Sequence, residues 1–237
     1  MFIKTKAIVL SALKYQEKSL IVKCYTLHHG IQSYFVPSAF SSKKANQRIA
    51  YFQPLNSLEI EATYKNKGTL EHFKEVKLAY VYQSICTDIV KSTVVLFLSE
   101  ILHHSILEEE KNEKLFTFLE TALLWLDAHE EAANFHLIVL LELTKHLGFY
   151  PDTTEIDFPF FDKSEGFFTP FQSINALNQN ETAIFKKLIH LKFDGNQKVF
   201  VAIERKILLK VLLDYYTLHL EGFKQPKSLA VLKEVFS

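Results

Sequence analysis

The chain has 237 residues, 48% of them hydrophobic and 23% charged, with 27 Lys and Arg against 27 Asp and Glu. That is enough apolar chain for a sizeable core, and far from the polar, highly charged composition of a disordered polymer. The start, MFIKTKAIVL, has no small-residue cleavage site, apolar runs such as Leu137 to Leu141 fall far short of the roughly 20 residues that span a bilayer, and Cys24 and Cys86 lack metal-ligand spacing, so export, a membrane span and a disulfide framework are set aside and the expected compartment is the cytoplasm.

From Ile3 to Leu13 and from Leu20 to Leu27 the chain is rich in β-branched and aromatic residues without a helical period, which predicts two strands joined by the polar break Lys14 to Lys18. His28-His29-Gly30 predicts a turn, Ile31 to Val36 a third strand, and Pro37 its end. Ser38 to Arg48 (SAFSSKKANQR) has the composition of a long exposed loop. Leu58, Ile60, Ala62 and Tyr64 then alternate with Glu59, Glu61 and Thr63, a half-buried strand, and Asn66-Lys67-Gly68 predicts a hairpin to a short return strand near Leu70 to Phe73. Several short strands closed by turns within residues 1–76 make a small barrel or sandwich the expected first domain.

After Val76 the pattern changes. Leu78 to Ile89, Val94 to Leu107, Leu115 to Leu126 and Phe135 to Leu147 space their apolar residues three and four apart, so four helices are expected, the last capped by Gly148 with Pro151 beyond. Residues 149–172 interrupt without helical period, and within them Asp152 to Phe171 holds six Phe, five acids and two Pro. Helices resume over Glu181 to Leu191 and Lys198 to Leu220, the second with a core stripe of Val199, Ile203, Ile207, Val211 and Tyr215; Gly222 ends it and a last short helix occupies Pro226 to Phe236. Residues 77–237 are thus expected to form a helical domain with a Phe-rich insertion.

Chemistry is sparse. Neither GxGxxG nor GxxxxGK[ST] occurs, nor a GxSxG elbow or an HExxH pair, and nothing assembles a nucleophile, a base and an orienting group. His103-His104 sends its rings to different helix faces, and His104 with Glu108 alone cannot hold a metal. Charge offers more. Residues 1–75 carry 11 Lys and Arg and 5 Asp and Glu (11 − 5 = +6), residues 76–150 carry 5 and 11 (5 − 11 = −6), and residues 151–237 carry 11 of each. An anion-facing N-terminal segment and a solvated basic face both fit that count. Lys14, Lys18 and Lys23 around the first turn, with Lys43, Lys44 and Arg48 in the long loop, are candidate phosphate contacts. Tyr34 and Phe35 lie on opposite faces of their strand, so one is core and the other a candidate to stack on a base.

These residues resemble a known family. Thr5-Lys6-Ala7-Ile8-Val9-Leu10, Tyr15 with Glu17-Lys18-Ser19-Leu20-Ile21-Val22, Tyr25-Thr26, His29-Gly30, the basic loop, Gln53-Pro54-Leu55, Leu147-Gly148 with Pro151-Asp152, and Lys227-Ser228-Leu229 follow the order and spacing of the bacterial RecO family of DNA repair and recombination mediators. The resemblance spans the chain and implies an α+β protein: an N-terminal OB-fold β-barrel followed by an all-helical C-terminal domain. It implies binding of single- and double-stranded DNA, annealing of complementary strands, and, with RecR, loading of RecA onto DNA coated by single-stranded DNA-binding protein, whose acidic, aromatic-ended tail the helical domain would bind. It implies no cofactor-driven reaction, assigns DNA contact to Lys43, Lys44 and Arg48, and adds Arg205 and Lys206 from the helical domain. Many members carry a four-cysteine zinc site in the insertion; this chain has no Cys after Cys86, so apolar packing of Phe158, Phe160, Phe161, Phe167, Phe168 and Phe171 is expected in its place and zinc is predicted absent. The alternatives are a helical adaptor whose barrel binds protein and, third, an enzyme.

Overall fold

The structure is a computed structural model that describes residues 1–40, 48–65, 69–106, 111–193 and 199–236. The chain divides into two compact units, Met1–Ala128 and His129–Ser237.

The first unit is built on five strands, β1 (Phe2–Tyr15), β2 (Ser19–Thr26), β3 (Gly30–Val36), β4 (Ser57–Thr63) and β5 (Glu71–Leu78), closed into a barrel in the order β1-β2-β3-β5-β4. This is the expected OB-fold arrangement. β1 pairs with β4 over Phe2 to Ile8 and with β2 over Ala7 to Tyr15, and its register with β2 shifts between Val9 and Ser11, a bulge that bends the strand. Strand alternation sends Val9, Val22, Cys24, Tyr34, Leu58, Ile60 and Ala62 inward, all at most 3% exposed. Closure depends on the parallel β3–β5 seam, where the paired residues are Tyr34 with Glu71 and Phe35 with His72.

Two helices, α1 (Ile89–Ser105) and α2 (Glu113–Ala128), complete this unit. α2 lies on the barrel through Tyr25, whose ring sits 6.1 Å from Phe116 and whose hydroxyl donates to the Asn112 carbonyl at 3.0 Å, and through the Lys6–Glu120 ion pair at 2.8 Å. The helix expected over Leu78 to Ile89 does not form. Leu78 belongs to β5, and the next residues are turned by the buried Asp127 carboxylate, which accepts the backbone N–H groups of Gln83, Ser84 and Ile85. A carboxylate that satisfies three successive donors replaces the bonds a helix would make. The helix starts only where Asp88 caps it, accepting from the N–H groups of Val90 and Lys91.

In the second unit α3 (Phe135–Leu147) is buried from Phe135 to Leu141 and ends at Gly148, whose φ of 85° makes the left-handed cap expected of it. The insertion is a two-stranded hairpin, β6 (Phe160–Asp162) with β7 (Phe167–Thr169), followed by α4 (Gln179–His190), α5 (Ala202–His219) and α6 (Leu229–Val235). The core face of α5 differs from the expected stripe. Val211 and Tyr215 are buried, but Ile203 is 63% exposed and Val199 and Ile207 are partly exposed, while Leu208, Leu212 and Tyr216 are buried. A row of i+4 steps drifts about 40° per step around a helix of 3.6 residues per turn, so one face cannot keep all five residues inside.

Candidate nucleic-acid interface

The candidate residues of the first unit divide by strand parity. Tyr34 is fully buried, stacked at 4.2 Å on Phe73, which in turn stacks at 5.5 Å on Phe52. Burial, with the nearby Cys24, Glu71 and Tyr64, raises its phenol far above the usual range. Its ring is core and cannot meet a base, a correction to its place among the candidates. Phe35, one residue on, faces outward.

Lys14 and Lys18 are exposed at the end of the barrel beside the β1–β2 turn, where Gln16 takes a φ of 53°. Lys14 lies 5.6 Å over the ring of Phe40, and the N–H of Phe40 donates to the Lys18 carbonyl at 3.3 Å, so the segment leaving β3 folds back on this turn. Lys23 is different: it is partly buried, and burial lowers its ammonium pKa. It stands within electrostatic reach of His103 on α1, whose pKa is pushed down to about 4 by burial, by Lys23 and by His104. The His103 and His104 rings are 5.2 Å apart, closer company than separate helix faces suggest. Arg48 is exposed; Lys43, Lys44 and Glu108 lie outside the described residues.

In the second unit Arg205 is partly buried and spends one guanidinium N–H on the Phe200 carbonyl at 2.7 Å. Lys206 is exposed at the rim of a cavity of about 370 Å³ between α5 and α6. Leu209, Leu213 and Leu229 line it, Lys206, Lys210 and Lys233 surround them, and the one acid among its lining residues, Asp214, is paired with Lys163 at 3.3 Å. Sequence reasoning missed this site although half its signal was present: Lys206, Leu209, Lys210 and Leu213 follow i, i+3, i+4, i+7 spacing along one helix face. The other half comes from α6, which no spacing in α5 reveals.

The insertion packs through its aromatic rings. Phe161 and Phe168 are the buried pair of its six Phe, with ring centroids 5.0 Å apart, and Phe161 also meets Phe185 at 4.7 Å and Tyr215 at 5.7 Å. Phe171 is 78% exposed and Phe167 43% exposed, so the expected apolar packing rests on two rings rather than six. Asp162 ties the polar side together, accepting from the hydroxyls of Ser164 and Ser173 and from the N–H of Glu165. No group of three or more His, Cys, Asp or Glu able to hold a metal occurs among the described residues, and none of their helices is long and apolar enough to cross a membrane.

The family described as Recombination protein O N terminal matches residues 1–82, and Recombination protein O C terminal matches residues 86–230. Aligned over 100% of each chain, the sequence is 66% identical to the DNA repair protein RecO of Flavobacterium johnsoniae, 67% identical to that of Flavobacterium psychrophilum and 42% identical to that of Christiangramia forsetii.

Proposed function

The chain belongs to the recombination protein O family, and from that premise we propose that it is a non-catalytic DNA repair and recombination mediator. It binds single- and double-stranded DNA through the cationic end of its barrel, anneals complementary strands and, with RecR, helps to load RecA onto DNA coated by single-stranded DNA-binding protein. Family membership over nearly the whole chain carries this proposal. The barrel supports it: the exposed Lys14, Lys18 and Arg48 belong to the +6 segment, whose sequence also contains Lys43 and Lys44.

The cavity of the second unit supports the proposed contact with the tail of single-stranded DNA-binding protein. An apolar floor takes an aromatic side chain and a lysine rim takes carboxylates, so the chemistry suits an acidic peptide with an aromatic end. Lys206 is accordingly assigned to the peptide, and Arg205 to the fold.

Titrating single-stranded DNA affinity against salt tests the DNA assignment. Each lost phosphate contact lowers the log–log slope by about 0.7, so Lys43→Ala/Lys44→Ala/Arg48→Ala is expected to reduce it by about 2. Absence of DNA binding at low salt would refute the function, whereas an unchanged slope would remove the loop from the site.

A further inference from the structure

The outer face of the barrel carries a row of side chains that phosphate contacts leave unexplained. Strand register sets Leu13 of β1 opposite Ile21 of β2, Ile21 opposite Phe35 of β3, and Phe35 opposite His72 of β5, so four neighbouring strands contribute one row. The row beside it, Ala12, Val22 and Tyr34, points the other way, and Val22 and Tyr34 are 0% exposed inside the barrel. On the outer row Leu13 is 63% exposed, His72 is exposed and Phe35 and Ile21 are partly so. Phe35 is met edge-on from both sides: by Tyr15, itself 43% exposed, at 6.1 Å and 87°, and by His72 at 5.7 Å and 90°.

The helices of this unit close over the other end of the same face. Tyr25 lies under α2, whereas Tyr15, Phe35 and His72 remain accessible. Charge decides what occupant the open end suits. Lys18 stands in the turn that follows Tyr15, and Lys23 occupies the outward position next along from Ile21, opposite Ser33. Glu71, beside His72 in sequence, is turned inward and held by the Thr63 hydroxyl at 2.6 Å and the Lys65 N–H at 2.7 Å, which takes its charge off the face. Glu17, exposed in the same turn, is the acid nearest Lys18 in sequence. Rings bordered by cations, on the β2–β3 face of an OB-fold, suit a strand that lays its bases on the rings and its phosphates on the lysines.

We propose that Phe35, flanked by Tyr15 and His72, is a stacking platform for unpaired bases, and that it gives the barrel a preference for single-stranded over duplex nucleic acid. Bases within a duplex are stacked on each other and offer the platform no face; the cations serve both forms. The inference rests on the DNA-binding function proposed above, and its test separates the two. The full-length protein is titrated by fluorescence anisotropy with a labelled oligothymidylate and with a duplex of equal length. Tyr15→Leu and Phe35→Leu keep apolar bulk and remove a ring, and each is expected to bind the oligothymidylate roughly 5- to 100-fold more weakly while duplex affinity holds. Should Phe35→Leu fail to fold, as its melting curve would reveal, Tyr15→Leu at the exposed strand end decides the matter alone. Unchanged oligothymidylate affinity, or equal loss for both DNA forms, overturns the platform and leaves the DNA-binding function standing. A wild-type protein that binds only duplex does the same, and one that binds neither form overturns both.

Discussion

His136 shows what a single buried base does to stability. It is 2% exposed, stacked at 5.1 Å on Phe236, and burial followed by the positive Arg205 pushes its pKa down to about 3 from an ordinary 6.5. The unfolded chain therefore binds a proton that the folded one refuses. The contribution is fully present above pH 6.5 and is lost as pH falls toward about 3, at a rate approaching about 1.4 kcal/mol per pH unit. Chemical denaturation from pH 7 to pH 4 should show that slope, and His136→Phe should flatten it whatever it does to stability at pH 7. Nothing in the sequence marks His136 apart from the apolar run that follows it. The same holds for Tyr34 and Phe35: alternation puts them on opposite faces, but which face is core depends on the neighbouring strands, and only the pairing of Tyr34 with Val22 settles it.

At the scale of elements, the β6–β7 hairpin depends on a position that tolerates no side chain. Gly166 has a φ of 77°, its N–H donates to the Asp162 carbonyl at 2.8 Å, and an added Cβ would lie 2.7 Å from the Tyr215 hydroxyl. That hydroxyl cannot retreat freely, because it donates to the Phe149 carbonyl at 2.9 Å from a ring that is 1% exposed. Gly166→Ala should cost about 3 kcal/mol, combining backbone strain with the clash, and Tyr215→Phe in the same chain should recover part of that loss in thermal melts. Sequence patterns located this segment as an interruption but could not pair Phe161 with Phe185 and Tyr215, since those contacts join distant stretches of chain. Long-range partners also explain the helix misplaced at Leu78 to Ile89: its apolar spacing is helical, and the carboxylate that overrides it stands at Asp127. Where an element is governed by its own residues, as in Phe135–Leu147 with its Gly148 cap, sequence and structure agree on its limits.

Over the whole molecule, an N-terminal third rich in strands and cations precedes a largely helical remainder, and the change of pattern near Val76 makes that change visible from sequence. What could not be seen is how charge is put to use. Lys206, Lys210 and Lys233 look like solvated helix faces until α5 and α6 bring them around Leu209, Leu213 and Leu229. Such a site combines two terms with different salt responses: lysine–carboxylate attraction, screened within about 8–10 Å at physiological salt, and apolar burial, which is not. Lys206→Glu/Lys210→Glu should therefore weaken binding of the acidic tail peptide of single-stranded DNA-binding protein at least tenfold at low salt, about 1.4 kcal/mol or more, with the difference shrinking as salt rises. Leu213→Asp should remove binding at every salt concentration. The phosphate contacts are assigned to the barrel, so isothermal titration with oligothymidylate should give the Lys206→Glu/Lys210→Glu protein its wild-type affinity; a parallel loss of DNA affinity would return Lys206 to the DNA site.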